Sequence, residues 1–362
     1  MITAIEFVRH LGLGWNLGNT FDAFPLEGEH EAATAAGRDW TPEDQQRLWR
    51  NKPFTAECAA NVKAAGFDTI RIPVTWMEWA DADGIVQERW MATVQQAVDW
   101  SLDAGLNVIL NVHHDGSNGD TLWIRRASRQ WDAVSRRYEG LWRSIATRFA
   151  DYDHRLVLEG GNEICFPDVS QDQAFTLLNR LNQIFVDVVR ATGGRNADRY
   201  LLIPGFNTDT VLTCDERYRL PQDSIEDRLI VSIHYYSPAE FALAEHDCTW
   251  GTPATTWGTA AEVEAVAADF ALQRARFIDH GIPVIIGEYG LLTEPVDGKD
   301  HASNIAWLKT VVNCALDNGS CPVLWDTSVK EMCFLDRETG RFYDPDVAEV
   351  FAAARARLDG EN

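Results

Sequence analysis

The chain has 362 residues and a formal net charge of −23, from 32 Lys and Arg against 55 Asp and Glu. That balance argues against a nucleic-acid or anionic-membrane partner, which needs a basic face, and no apolar run approaches the roughly 20 residues of a membrane span. A hydrophobic fraction of 46% and a charged fraction of 24% describe a globular chain long enough to build its core without disulfide or metal staples.

Taken in chain order, short apolar runs alternate with amphipathic stretches. Residues 11–16 read as a strand and 55–65 as a helix; 69–72 and 88–104 repeat the pair, as do 107–112 and 131–152, then 156–159 and 171–192. The strand at 200–203 is followed by a weaker stretch, 207–226, with room for only a short helix. Strands at 229–233, 283–286 and 322–325 then alternate with helices at 261–280, 303–318 and 347–358. The strands are continuous apolar runs, as expected where both faces are buried. Thr55 is placed to cap its helix, and Gly66, Gly105 and Gly281 sit where helices should stop, each just before a strand. Such a grammar is βαβ architecture. An open doubly wound sheet would carry a glycine-rich phosphate turn early on, and Gly12-Leu13-Gly14 lacks the rest of that motif. The expected fold is therefore one α/β domain over residues 1–362, a single (β/α)8 TIM barrel.

A barrel places its chemistry at the C-terminal ends of its strands. Asn16, Asn19 and Asp22 follow the first strand, and Arg71 and Trp76 mark the second. His113, His114 and Asp115 end the third, Asn162 and Glu163 the fourth. His234, Tyr235 and Tyr236 end the sixth, Glu288 the seventh, and Trp325 and Asp326 the eighth. Glu163 and Glu288 stand on strands facing each other across the barrel. Two opposed carboxyls are what glycoside hydrolysis requires: one protonates the leaving oxygen, the other attacks or activates water. Two separate salt bridges are the plainer alternative, with Arg71 neutralising one. His113 and His114 suggest a metal less strongly, since adjacent strand residues point to opposite faces; no metal is expected. Asp115 and Asp120 read as loop residues. The 14 Trp residues suit flat apolar ligand faces as well as core packing. Seven scattered cysteines without a Cys-x-x-Cys pair, and no visible secretory signal, lead to the expectation of reduced thiols and a cytoplasmic location.

Six segments together resemble glycoside hydrolase family 5: Gly14-Trp15-Asn16-Leu17-Gly18-Asn19-Thr20, Arg71-Ile72-Pro73-Val74-Thr75-Trp76, Asn111-Val112-His113-His114-Asp115, Asn162-Glu163, His234-Tyr235-Tyr236-Ser237-Pro238 and Gly287-Glu288-Tyr289-Gly290. Ser237-Pro238 with Thr249-Trp250-Gly251 looks most like the branch of endo-β-1,4-glucanases, xyloglucanases and mixed-linkage glucanases. The resemblance implies Glu288 as nucleophile and Glu163 as acid/base, in a retaining reaction with carboxyls about 5–5.5 Å apart. It implies that Arg71 and Tyr236 hold the nucleophile, His234 the acid side, and Asn162 the sugar 2-hydroxyl. His113 and His114 would line successive sugar subsites, Trp325 would form the floor, and Asn19 and Asp22 would contact sugars toward the non-reducing end. The implied partner is a β-linked oligo- or polysaccharide, and the chemistry needs no cofactor. A β-mannanase or an exo-acting β-glycosidase on imported oligosaccharides is the alternative within enzymes. A non-catalytic carbohydrate-binding barrel is the alternative outside them, disfavoured by the presence of Glu163, Glu288 and Arg71 together. Departures from the family pattern are Ile164-Cys165, where a proline usually follows the acid/base, and two long excursions. Residues 23–53 carry Trp40 and Trp49, and residues 239–259 carry Trp250 and Trp257; either would wall the cleft or add a sugar platform.

Overall fold

The computed structural model describes residues 2–25, 39–115, 122–293, 296, 298–328 and 331–361; Asp120 and the middle of the 23–53 excursion lie outside them. Eight parallel strands close into one barrel in sequence order: β1 (Gly14–Leu17), β2 (Thr69–Ile72), β3 (Asn107–Asn111), β4 (Leu156–Glu159), β5 (Leu201–Pro204), β6 (Leu229–Tyr235), β7 (Val284–Tyr289) and β8 (Cys321–Asp326). The helices are α1 (Ala4–His10), α2 (Pro42–Arg47), α3 (Ala56–Ala64), α4 (Glu88–Asp103), α5 (Trp131–Arg148), α6 (Gln171–Ala191), α7 (Thr210–Thr213), α8 (Ala239–Ala242), α9 (Ala260–Arg276), α10 (His301–Asp317) and α11 (Pro345–Glu361). A short hairpin, β9 (Leu335–Asp336) and β10 (Arg341–Phe342), follows β8.

The expected elements are present, with shifted ends. The stretch at 207–226 holds the four-residue α7, preceded by a 3-10 turn over Phe206–Thr208. Thr55 caps α3 by accepting the Cys58 N–H, and Gly66, Gly105 and Gly281 all adopt positive φ at helix ends. Strands β6, β7 and β8 run further than their apolar stretches, to Tyr235, Tyr289 and Asp326. Backbone pairing continues there although the barrel interior turns polar. Helix α1, absent from the sequence reading, carries a local signal: Thr3 and Glu6 form a capping box.

Alternation along each strand sends one set of side chains to the helices and the other to the barrel axis. The interior is layered. At the N-terminal end, Ile109, Val157, Leu202, Ile230, Ile285 and Val323 pack against Phe7 and Val8 of α1, which plugs the barrel. One layer up, Asn16, Arg71, Asn111, Glu159 and Ser232 are all buried. Most tryptophans, among them Trp15, Trp76, Trp79, Trp90, Trp142 and Trp307, belong to the core. All seven cysteines are free. Among the described residues no helix is long and apolar enough to cross a membrane.

Candidate active site

Strict alternation on β7 would turn Glu288 outward, because Ile286 packs outward with the helix-facing core. The register corrects this. Ile233 pairs with Ile286, but the next residue, His234, pairs with Glu288, leaving Gly287 as a bulge. The extra residue re-aims Glu288 into the barrel. Only glycine fits there, since a Cβ would lie 2.8 Å from Ser232 Oγ and 3.2 Å from His234 Nε2.

Glu163 is presented differently. Strand β4 ends at Glu159, and Gly160-Gly161-Asn162 lead to Glu163, whose φ is +46°. Left-handed backbone at a non-glycine residue persists only where its surroundings impose it. Here Tyr138 Oη and Trp142 Nε1 of α5 both donate to Gly160 O, at 2.6 and 3.1 Å.

The two carboxyls meet over the polar layer. One oxygen from each of Glu163 and Glu288 and one His234 nitrogen lie within 4.8 Å of one another. Arg71 Nη1 donates to Glu288 Oε1 at 2.7 Å and Tyr236 Oη to Oε2 at 3.0 Å. His234 Nδ1 lies 3.0 Å from Glu163 Oε1 and 3.5 Å from Glu288 Oε2. Arg71 also donates from Nη2 to Asn162 Oδ1, at 2.9 Å. Burial works against the Arg71 charge, but Glu159 and Glu288 outweigh it and hold the guanidinium protonated. Burial, then the Glu288 charge, keeps the Tyr236 phenol protonated and donating. Burial also holds His113 neutral, helped by His114 and Arg71. At Glu288, burial raises the carboxyl above its ordinary range, with His234 and Arg71 opposing and the Glu163 charge adding to the rise. At Glu163, burial is outweighed by the hydrogen bond and charge of His234, which draw it down.

Trp325 lies parallel to His113 at 5.6 Å between ring centroids, and His113 Nε2 is 3.9 Å from Glu288 Oε1. From there a row of rings continues: His113 to His114 at 4.5 Å, then His114 to Phe24 and Trp49 at 5.4 and 5.5 Å. The structure thus brings Arg71, His113, Asn162, Glu163, His234, Tyr236, Glu288 and Trp325 into one cleft, with His114 at its edge.

Three expectations change. His113 and His114 leave β3 in a turn, so they do not point to opposite faces; they converge with Asp22, donor atoms within 4.8 Å. Asp22 is fully buried and accepts the Asn19 and Thr20 N–H groups. It braces the loop and faces His114 at 3.7 Å, in place of the direct sugar contact expected of it. Asn19, at φ +57°, is held in turn by Asn51 Nδ2 on its carbonyl. Asp115 is a buried tie, accepting Trp76 N and Trp123 Nε1. Trp257 is buried, whereas Trp250 is half exposed. One residue escaped the sequence reading: Glu159, the last residue of an apolar strand, whose carboxylate accepts Arg71 Nε at 2.6 Å.

The cellulase (glycosyl hydrolase family 5) family model matches residues 30–331. Endoglucanase A of Paenibacillus barcinonensis is 33% identical over 345 residues, covering 90% of this chain and 82% of that protein. A xyloglucan-specific endo-beta-1,4-glucanase of Bacteroides ovatus is 32% identical over 361 residues, 94% of this chain and 68% of that one. Among solved structures, a GH5-4 broad specificity endoglucanase from an uncultured bovine rumen ciliate superposes with a TM-score of 0.89 at 41% identity, with 99% of both chains covered. With that match running through both glutamates and most of the barrel, the chain belongs to glycosyl hydrolase family 5.

Proposed function

We propose that this chain, acting as one catalytic domain, is an endo-β-1,4-glucanase that works by retention, with Glu288 as nucleophile and Glu163 as general acid/base. One observation carries the assignment of roles. Glu288 receives two fixed donors, Arg71 and Tyr236, whereas Glu163 faces an imidazole nitrogen that either donates or accepts. Two carboxyls this close share a proton as a pair. Protonating Glu288 strands a fixed donor. Protonating Glu163 only switches the His234 tautomer, and His234 Nε2 is unpartnered either way. Burial raises Glu288, while against burial the hydrogen bond and charge of His234 draw Glu163 down, which by themselves would put the proton on Glu288. The two donors fixed on Glu288 outweigh this, so the shared proton rests on Glu163 and Glu288 stays ionised.

The steps follow. A sugar ring settles over Trp325. Glu288 attacks the anomeric carbon while Glu163 gives its proton to the departing glycosidic oxygen, leaving a glycosyl ester. Glu163, now a carboxylate, takes a proton from water, which attacks the same carbon, breaks its bond to Glu288 and restores the β configuration. Asn162, its Oδ1 engaged by Arg71, offers its amide N–H groups to the 2-hydroxyl. The leaving group must lie on the Glu163 side, so the retained sugars run the other way, along His114 toward Trp49. The aromatic row to Trp49 offers more than one sugar position on that side, and the endoglucanase names of the relatives support attack within a chain. The seven free cysteines support a reducing, cytoplasmic setting.

The test is hydrolysis of carboxymethyl cellulose, mixed-linkage glucan, xyloglucan, mannan and cello-oligosaccharides. Viscosity is expected to fall before much reducing sugar appears. Glu163→Gln should lose about 10²–10⁴-fold on glucans yet keep most of its kcat/KM on aryl glycosides with good leaving groups, whose first step needs no proton, with kcat lowered because the second step still lacks its base; Glu288→Gln should lose both. Binding without hydrolysis, or cleavage of mannan alone, would overturn the proposal.

A further inference from the structure

Arg71 serves two carboxylates, and the mechanism above uses one. The other, Glu159, ends β4 in the polar layer beneath the cleft and is fully buried. Its Oε2 accepts Arg71 Nε at 2.6 Å and its Oε1 accepts Ser232 Oγ at 2.7 Å. The guanidinium is thus engaged along its whole fork: Nε to Glu159, Nη1 to Glu288 and Asn16, Nη2 to Asn162. Such a fork is rigid, so the groups on one edge set the aim of the other. Nothing about the sugar requires Glu159, which lies below the reacting atoms. A buried carboxylate without a task would be expensive to retain, because burial disfavours its charge.

We propose that Glu159 is a positioning residue for the nucleophile: through Arg71 it fixes the plane of the guanidinium and withdraws part of its positive charge from Glu288. The inference rests on Glu288 being the nucleophile. An undivided cation would hold Glu288 firmly ionised but make it a weak electron donor to the anomeric carbon. Shared between two carboxylates in a dry interior, the same cation keeps Glu288 aimed and ionised while leaving it basic enough to attack. The groups facing Glu288 are Arg71 from β2, His113 beyond β3, Glu163 beyond β4, and His234 and Tyr236 from β6 and its end. Among the described residues, those bonded to Glu159 are Arg71 and Ser232, so a change at Glu159 reaches Glu288 by way of Arg71.

The experiment compares the pH dependence of kcat/KM in the wild type, Glu159→Gln and Ser232→Ala. Gln keeps an oxygen for Arg71 Nε and an amide for Ser232 but loses the charge. Its acidic limb, set by protonation of Glu288, should move down by roughly one pH unit, and kcat should fall several-fold. Ser232→Ala removes a donor from Glu159 without touching its charge. Glu159 then leans harder on Arg71, and the limb should move up by a smaller amount. A purely structural role predicts otherwise: a loosened Arg71 would shift the limb upward in both variants. An unmoved limb, or the same direction in both, overturns the inference. Should Glu159→Gln fail to fold, Ser232→Ala still tests the inference: a raised limb with kcat kept supports it, and an unmoved or lowered limb, or a raised limb with kcat several-fold down as a loosened Arg71 would give, overturns it. A fluorinated glycoside that accumulates the glycosyl ester, mapped by mass spectrometry in the wild type, separates the two levels. Label elsewhere than Glu288 overturns the nucleophile reading and this inference with it. Label on Glu288 with an unmoved limb overturns this inference alone.

Discussion

Tyr236 and His234 flank the carboxyl pair with different chemistry. The Tyr236 phenol is kept protonated by burial and by the Glu288 charge, so it only donates to Glu288. A hydrogen bond to the ionised form favours that form and lowers its pKa. Tyr236→Phe removes the bond, so the acidic limb of kcat/KM should move to higher pH, and kcat/KM should fall roughly ten-fold, the equivalent of about 1.4 kcal/mol. A pH–rate profile with a neutral glucan checks both, and a limb moving downward would contradict the role given to Tyr236. His234 is the adaptable partner, its Nδ1 able to donate to ionised Glu163 or accept from the protonated acid.

The elements that aim these residues are irregular where the chemistry is. The Gly287 bulge turns Glu288 inward, and α5 clamps the strained turn that carries Glu163. A third irregularity lies on the β1 side. Trp49 and Arg50, just past α2, both have positive φ, at 52° and 67°. Two successive left-handed residues without glycine are held only where something fixes them, and Trp49 here packs against Phe24 and His114. This places its half-buried ring at the end of the aromatic row, a flat face for a sugar beyond His114. Trp49→Ala should raise KM for long cello-oligosaccharides and polymer about ten-fold, in line with an aromatic contact of 0.5–1.5 kcal/mol, and leave kcat and short-substrate KM almost unchanged. Equal losses on short and long substrates would place Trp49 outside the path of the chain.

Over the whole molecule, a net charge of −23 creates a repulsive field for anionic polymers, and salt screens it. For carboxymethyl cellulose, kcat/KM should rise several-fold between roughly 10 and 150 mM salt, while values on neutral mixed-linkage glucan stay flat. Parallel curves for the two polymers would show that the field does not reach the cleft.

Helix–glycine–strand grammar, eight strands and polar strand ends were legible in the sequence because each is a local signal: an apolar run, a left-handed stop, a side chain just past a strand. Helices α1 and α2 are too short to show an amphipathic period, although Thr3 and Glu6 spell the cap of one and Thr41 and Pro42 the start of the other. The apolar runs stop before β6 and β7 do, because hydropathy drops where the barrel interior becomes polar, while hydrogen bonding does not. Strand position alone pairs Glu163 with Glu288, and the family resemblance adds their expected roles. By itself, then, the sequence determined the barrel and the residue types offered at its mouth, since both depend on neighbours along the chain. Tertiary structure alone decided that Gly287 bulges so that Glu288 faces inward, that His113 and His114 converge, that Asp22 is a buried brace, and that Glu159 shares Arg71 with Glu288. Each depends on register or on groups dozens of residues apart, and a one-residue slip in register reverses which face a side chain takes.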